Sequence, residues 1–278
     1  VFYSVKQLTN RQDSAIFSSI LSAFVPVLLS KTLFSLSPLS IAVPLTYLAL
    51  LFLFKVPQKV SVIVFVILMF LLSLTHPSAS FLIFCLVGYI IISRLAGVKT
   101  ENFEIELIFF SVFIFIWAQF VLYKNAFLYH GINLISGNIP LEVISGYFSD
   151  VSIASAILQI GLLPIIGGLY ATYKHLFNVQ NRYTYLYISM VIISSLFTWL
   201  RLVEPTVGFI YLSISLCILS GSAYSFIVGF FHNMRFKVIM RYYKLGIGLL
   251  VVITLIIPSF YFVYAESNNT VPVQMHEA

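Results

Sequence analysis

The sequence predicts an all-α protein, a polytopic transmembrane helical bundle of about nine spans with one longer outer loop. Three observations predict it. Of 278 residues, 60% are hydrophobic and only 9% are charged, where soluble domains carry about 25% charged residues. The apolar residues form long continuous runs, such as residues 107–122 and 207–231, rather than the alternating ten-residue strands of a membrane barrel. The basic residues fall between those runs and divide unevenly between the two sides. Backbone groups in lipid must pair within their own segment, which selects helices.

The runs give candidate spans at residues 14–29, 38–54, 60–74, 78–93, 105–123, 151–173, 183–200, 206–231 and 245–264. A span needs roughly 20 apolar residues. The first and third are short, which suits a tilted, shifted or partly re-entrant segment. Ahead of them, Val1-Phe2-Tyr3-Ser4-Val5 reads as the end of an apolar helix. With no initiator Met and no signal peptide, the expectation is an N-terminally truncated chain or an unusual start.

Threading the spans with the C-terminus outside sorts the charges. The inner segments carry Lys6, Arg11, Lys55, Lys59, Arg94, Lys99, Lys174, Arg182, Arg235, Lys237, Arg241 and Lys244; the outer ones carry Lys31, Lys124 and Arg201. Twelve of the 15 basic residues therefore lie inside, as the positive-inside rule requires. The expected location is the cell membrane, with the N-terminus of this chain cytoplasmic. The net charge of +6 serves topology, since no basic stripe marks a nucleic-acid face. Membrane lipids are the expected partners, and nucleic acid is not.

The turns are short except for residues 124–150 on the outer side, broken by Gly131, Gly137, Pro140 and Gly146. Leu141, Ile144 and Phe148 recur there at helical spacing, predicting a short helix along the membrane surface. Residues 232–244 are basic and aromatic and suit anionic head groups. Residues 1–266 read as the transmembrane domain. Residues 267–278 read as the start of an outer linker or truncated outer domain, in which Asn268-Asn269-Thr270 forms an acceptor sequon. Cys85 and Cys217 sit inside apolar runs and read as core residues.

Ionisable groups are almost absent from the spans, which argues against a pump. Glu106, with Glu101 and Glu104, lies at an inner span end and reads as a solvated interface carboxylate. No phosphate-binding glycine loop, HExxH or CxxC motif is present. Polar groups gather instead at the outer edge: His76, His130, Glu142, Asp150, Arg201 and Glu204. Arg201 and Glu204 share a five-residue turn. An arginine at head-group depth grips a phosphate with two parallel hydrogen bonds; the structural alternative is an Arg201–Glu204 pair anchoring two helix ends. A neutral His76 can donate to a phosphate or a sugar hydroxyl. Asp150 is placed to cap the helix that begins at Val151.

Several segments together resemble the membrane portion of the glycosyltransferase C superfamily, whose members use polyprenyl-linked sugars and include oligosaccharyltransferases and protein mannosyltransferases. They are VFYSVKQLTNRQDSAIFSSILSAFVPVLLS, LLSLTHPSASFLIFCLVGYII with its outer His turn, and LPIIGGLYATYKHLF followed by SSLFTWLRLVEPTVGFIYLSISL. The tail AESNNTVPVQMHEA resembles the start of the soluble domain that follows the last helix. The resemblance implies a membrane glycosyltransferase handling a polyprenyl-phosphate-linked sugar on the outer face, often with divalent Mg or Mn neutralising the lipid phosphate. It carries Arg201 over as a donor-phosphate contact. The family's catalytic acid lies in an outer loop that would precede Val1, so the catalytic residue is unassigned, and these residues alone are expected to bind donor without turning it over. Glu204, Asp150 and Glu142 are the outer acids present, and His76 the second phosphate-binding candidate. The competing reading is a non-catalytic polytopic membrane protein, a lipid or polysaccharide transporter or a scaffold subunit. An O-antigen polymerase or ligase would show several outer arginines, where this chain has one.

Overall fold

A computed structural model describes residues 1–34, 38–55, 58–76, 78–98, 100–130, 152–177, 181–233, 246, 250–261 and 264. Among them every regular element is helical. In chain order these are α1 (Phe2–Thr9), α2 (Gln12–Ala23), α3 (Pro26–Phe34), α4 (Pro38–Leu53), α5 (Lys59–Thr75), α6 (Ser78–Leu95), α7 (Asn102–His130), α8 (Ile153–Ile160), α9 (Leu162–Phe177), α10 (Arg182–Trp199) and α11 (Pro205–Asn233). A π-helical turn, Val252–Ile256, lies within the last described helical stretch.

Of these, α7 and α11 are long and apolar enough to cross a membrane, while α4, α5 and α6 are shorter apolar helices. The pair α8–α9 reaches the length together but bends by 87°. Residues 151–173, which the sequence predicts as one span, are thus divided between two helices. The chain turns at Gly161, whose φ of 92° suits a residue without a Cβ, and the Leu255 side chain fills the space beside it. The span expected at residues 14–29 is likewise divided into α2 and α3. Pro26 disfavours helical backbone in the residue before it and is tolerated at the first position of the next helix.

Other ends follow the sequence closely. Asn10 closes α1 with a left-handed φ of 54° and donates its N–H to the Lys6 carbonyl. His76, which precedes a proline, is extended (φ −157°) and closes α5. Asn181 caps α10 through its side chain. Ser152 supplies the capping oxygen of α8, which starts at Ile153. Residues 124–130, expected to open the outer loop, instead continue α7. The helix expected around Leu141, Ile144 and Phe148 lies outside the described residues. So do residues 234–245 of the basic segment and the tail with Asn268.

The centre of the bundle is α11. Nearly all of its apolar window is buried, whereas most of α7's is not, so α7 turns Phe109, Phe113 and Phe120 outward. Small residues let the other helices approach α11. A Cβ on Gly168 would sit 2.5 Å from Leu216 Cδ2, and one on Gly221 2.6 Å from Val5 Cγ1. Side chains also reach across to backbone carbonyls. Ser18 Oγ donates to Cys217 O (2.5 Å), Ser189 Oγ to Cys85 O (2.6 Å) and Tyr47 OH to Tyr211 O (2.8 Å). Close small-residue contact with interhelical hydrogen bonds is how helices associate where lipid removes the hydrophobic drive. Cys85 and Cys217 are buried free thiols in this core.

The contacts sort the helix ends. At one end Phe54, after α4, packs on Tyr183 of α10 at 4.8 Å. There Arg182 bonds Glu101 at 2.8 Å and Glu104 at 3.3 Å, and Tyr89 OH donates to Glu104 at 3.4 Å. Glu104 is 3% exposed, which corrects the reading of this trio as solvated carboxylates; Glu101 and Glu106 do remain exposed. Toward the same end Arg11 donates to the Ser225 carbonyl at 3.4 Å, and Lys174 lies 3.9 Å above the Phe226 ring. At the other end Phe81 and Phe84 of α6 meet Phe197 of α10, below the turns that carry His76, Arg201 and Glu204. Arg11, Lys174 and Arg182, which the charge count assigns to one side, thus share one end of the bundle.

Candidate functional site

The candidate site is the rim opposite the Arg182 cluster, built from the α5–α6 and α10–α11 turns. The second turn has a defined backbone. Leu200 closes α10, Arg201 N–H donates to Thr198 O (3.2 Å) and Leu202 N–H donates to Phe197 O (2.9 Å). This paired bonding is the Schellman ending, which places its next residue in the left-handed region, usually as glycine. Here that residue is Arg201, with φ 55°. A side chain there costs roughly 1 kcal/mol or more. The side chain is exposed at the rim.

Glu204 ends the turn and precedes Pro205, the first residue of α11. Its carbonyl accepts the Gly208 N–H at 3.1 Å, and its carboxylate accepts the Thr206 hydroxyl. A carboxylate at a helix start is favoured by the helix dipole. Glu204 therefore has a structural task as well as a place at the rim.

His76 belongs to the same neighbourhood. Partial burial holds its pKa below the ordinary 6.5, and the Glu204 carboxylate pulls in the opposite direction. The imidazole is consequently neutral near pH 7, with one nitrogen donating and the other accepting. A lowered histidine pKa means that the fold favours the neutral form. Stability from His76 is full above about 6.5 and declines as pH falls through the window between that value and the folded pKa. Glu204→Gln removes the opposing charge, so the His76 pKa drops further. Histidine-selective NMR titration checks this; an unchanged or raised value would disconnect the two residues.

The rim thus brings together a cation, a carboxylate and a neutral imidazole. The sequence singled out His76, Arg201 and Glu204, and the structure places them at one end, with Glu204 and His76 in electrostatic contact. Glu142, Asp150 and the His130 side chain lie outside the described residues. Among the described residues no group of three His, Cys, Asp or Glu side chains gathers to hold a metal. A hard divalent cation takes six or more oxygen ligands, and Glu204 with His76 does not supply such a set, so no step is assigned to one.

Two features escaped sequence reasoning. One is the strained backbone of Arg201, which no local pattern announces. The other is an apolar groove of about 400 Å³ between α1, α3, α4 and α11, with Lys31 in its lining. The interruption of the first span before Pro26 was the available signal for the second, since it separates α3 from α2 and leaves room beside α4.

No protein-family model matches the chain, and no curated protein does either.

Proposed function

We propose that this chain is a nine-span membrane protein of the glycosyltransferase C type that holds the phosphate of a polyprenyl-linked sugar at its outer rim. The observation that carries the reading is Arg201. An arginine occupies a left-handed backbone position that glycine fills at no cost, in a five-residue turn beside Glu204 and near His76. Strain kept at a rim position marks a side chain retained for what it touches. The twelve-to-three charge division supports the orientation, because it puts this rim outside.

In this reading the planar guanidinium of Arg201 binds two phosphate oxygens. Breaking the bond between the sugar and the lipid phosphate leaves added negative charge on that phosphate. A cation fixed beforehand stabilises that charge more than it stabilises the intact donor. Neutral His76 donates a hydrogen bond to a phosphate or sugar oxygen. Glu204 offsets the rim's positive charge and orients the turn. The residue that deprotonates the acceptor is not assigned.

The test separates the role of the side chain from that of the turn. Arg201→Gly relieves the left-handed strain and stabilises the fold by about 1 kcal/mol. The same change weakens binding of a polyprenyl-phosphate sugar by about 1.5–3 kcal/mol, the scale of hydrogen bonds to charged groups. Arg201→Lys restores part of the affinity, because an ammonium makes no bidentate contact. Binding that is unaltered in Arg201→Gly contradicts the proposal.

A second reading, a lipid or polysaccharide transporter, is favoured by one observation. The last described helical stretch touches both interrupted helices: Leu255 packs on Gly161, and Ser259 Oγ donates to Phe24 O at 2.6 Å. Broken helices that meet inside a bundle are a transporter device. Flux of labelled lipid across vesicles, without sugar-phosphate selectivity at Arg201, would favour it.

A further inference from the structure

We propose that the start of α2 binds phosphatidylethanolamine, with the head group held by Arg11 and Asp13 and one acyl chain lying between α2, α9 and α11. The site lies at the opposite end of the bundle from the Arg201 rim and does not depend on the donor reading.

Two adjoining cavities carry the proposal. The first, about 350 Å³, is polar and lies where α2 begins beside Tyr224 and Val228 of α11. Arg11 and Asp13 are the two charged residues of its lining, and both are exposed. Arg11 is the N-cap of α2 but supplies no side-chain cap. The first-turn N–H groups therefore lack one, and such a helix terminus favours a phosphate. Ser14 lines the same cavity. It is fully buried, and its hydroxyl has no hydrogen-bond partner among the described residues. Buried hydroxyls are nearly always paired, so this one points to a bound group. Arg11 gives one N–H to Ser225 O at 3.4 Å, and a guanidinium has five.

The second cavity, also about 350 Å³, continues from the first. Tyr224 lines both. Phe17, stacked on Tyr224 at 4.5 Å, lines the second with Leu163, Ile227 and Leu250. The Ser220 and Thr254 hydroxyls in its wall are already bonded to backbone carbonyls, so they add no call for a polar ligand. From Val228 to Ser220 the two cavities follow α11 for about 12 Å, at 1.5 Å per residue. A polar recess at the bundle end thus opens into an apolar one toward the middle, which matches a lipid head and tail.

The charge pattern selects the head group. One cation and one carboxylate give the lining no net charge, which complements a zwitterion rather than an anion. Arg11 and the α2 terminus take the phosphate. Asp13 accepts a hydrogen bond from the ethanolamine ammonium. A choline head has no N–H to give and is recognised by a cage of aromatic rings, whereas Tyr224 is the one aromatic residue lining the polar cavity. Phosphatidylglycerol brings no cation for Asp13.

The experiment uses the chain in phosphatidylcholine nanodiscs doped with phospholipid probes that carry the same diazirine in one acyl chain. The phosphatidylethanolamine probe is expected to crosslink residues 162–167 and 220–227, which line the apolar cavity. Its yield is about tenfold above that of the phosphatidylcholine and phosphatidylglycerol probes, the gain from one charge-assisted hydrogen bond. Asp13→Asn lowers the yield to the phosphatidylcholine level. Arg11→Gln lowers it about tenfold and leaves a diacylglycerol probe unchanged. Both residues are exposed, so neither change disturbs the core. Ile227 is 39% exposed, and Ile227→Trp fills the apolar cavity and removes the crosslinks at 162–167. Soluble phosphoethanolamine does not compete. Equal yields from the three phospholipid probes, a highest yield from phosphatidylglycerol, or a preference that survives Asp13→Asn overturns the head-group assignment. Crosslinks insensitive to Ile227→Trp, or competed by phosphoethanolamine alone, overturn the placement of the chain.

Discussion

Arg182→Ala destabilises the bundle by about 2–3 kcal/mol. Glu104 is almost fully buried and is held by Arg182 at 3.3 Å and by the Tyr89 hydroxyl at 3.4 Å. Removing the cation leaves a buried carboxylate with only neutral donors, the Tyr89 hydroxyl and the Glu101 backbone N–H. Breaking a fully buried pair costs about 3–5 kcal/mol, and the partial exposure of Arg182 (22%) reduces that figure through solvent screening. The cluster also ties α6, α7 and α10 together at one end, so loss of the cation loosens three helices at once. Adding Glu104→Gln recovers much of the loss, because an amide needs no counter-charge; the double variant is then more stable than Arg182→Ala alone. Chemical unfolding in detergent micelles measures both. An Arg182→Ala protein as stable as the parent would remove this cluster from the account of what joins the helices.

Gly168→Leu is expected to cost about 3 kcal/mol, the upper end of ordinary overpacking penalties. Even a bare Cβ at this position lies 3.1 Å from the Leu216 Cα, so backbone as well as side chain must yield. The helices α9 and α11 would have to separate along their shared contact, including the Ser220 hydroxyl's bond to Pro164 O at 3.2 Å. Gly97, by contrast, has nothing near its Cβ position. Gly97→Asn therefore serves as a control that leaves packing untouched and keeps a residue tolerant of its positive φ of 72°. Thermal unfolding in the same detergent should show a large drop for Gly168→Leu and a small change for the control. Equal effects would mean that close approach to α11 does not hold α9.

Much of the helical layout was legible in the sequence because apolar runs and their stops are local signals. His76 before a proline, Asn181 before α10 and Pro205 at the head of α11 all mark ends within a residue or two. The bend at Gly161 was not legible. Gly161 sits in a mostly apolar run, and the Leu255 side chain that fills the space beside it is distant in sequence. Glu104 was misread for the same reason, since its burial depends on Arg182 and Tyr89 from other helices. Of the candidate site, the residue types at the rim were readable from their clustering at turn positions. The left-handed backbone of Arg201 was not, because the Schellman ending is set by bonds back to Phe197 and Thr198 rather than by residue identity. The Lys31 groove requires four helices to be placed before it exists.

The central claim is that the bundle crosses the membrane with the Arg201 rim outside and the Arg182 end inside. The two native cysteines are buried, so introduced ones can be labelled selectively. Leu202 at the rim is 61% exposed, and Leu95, at the end of α6, is 83% exposed. A membrane-impermeant maleimide applied to intact cells is expected to label Leu202→Cys and to reach Leu95→Cys only after permeabilisation. Labelling of Leu95→Cys from outside, with Leu202→Cys protected until the membrane is opened, would invert the topology and remove the outer rim on which the proposed donor binding depends.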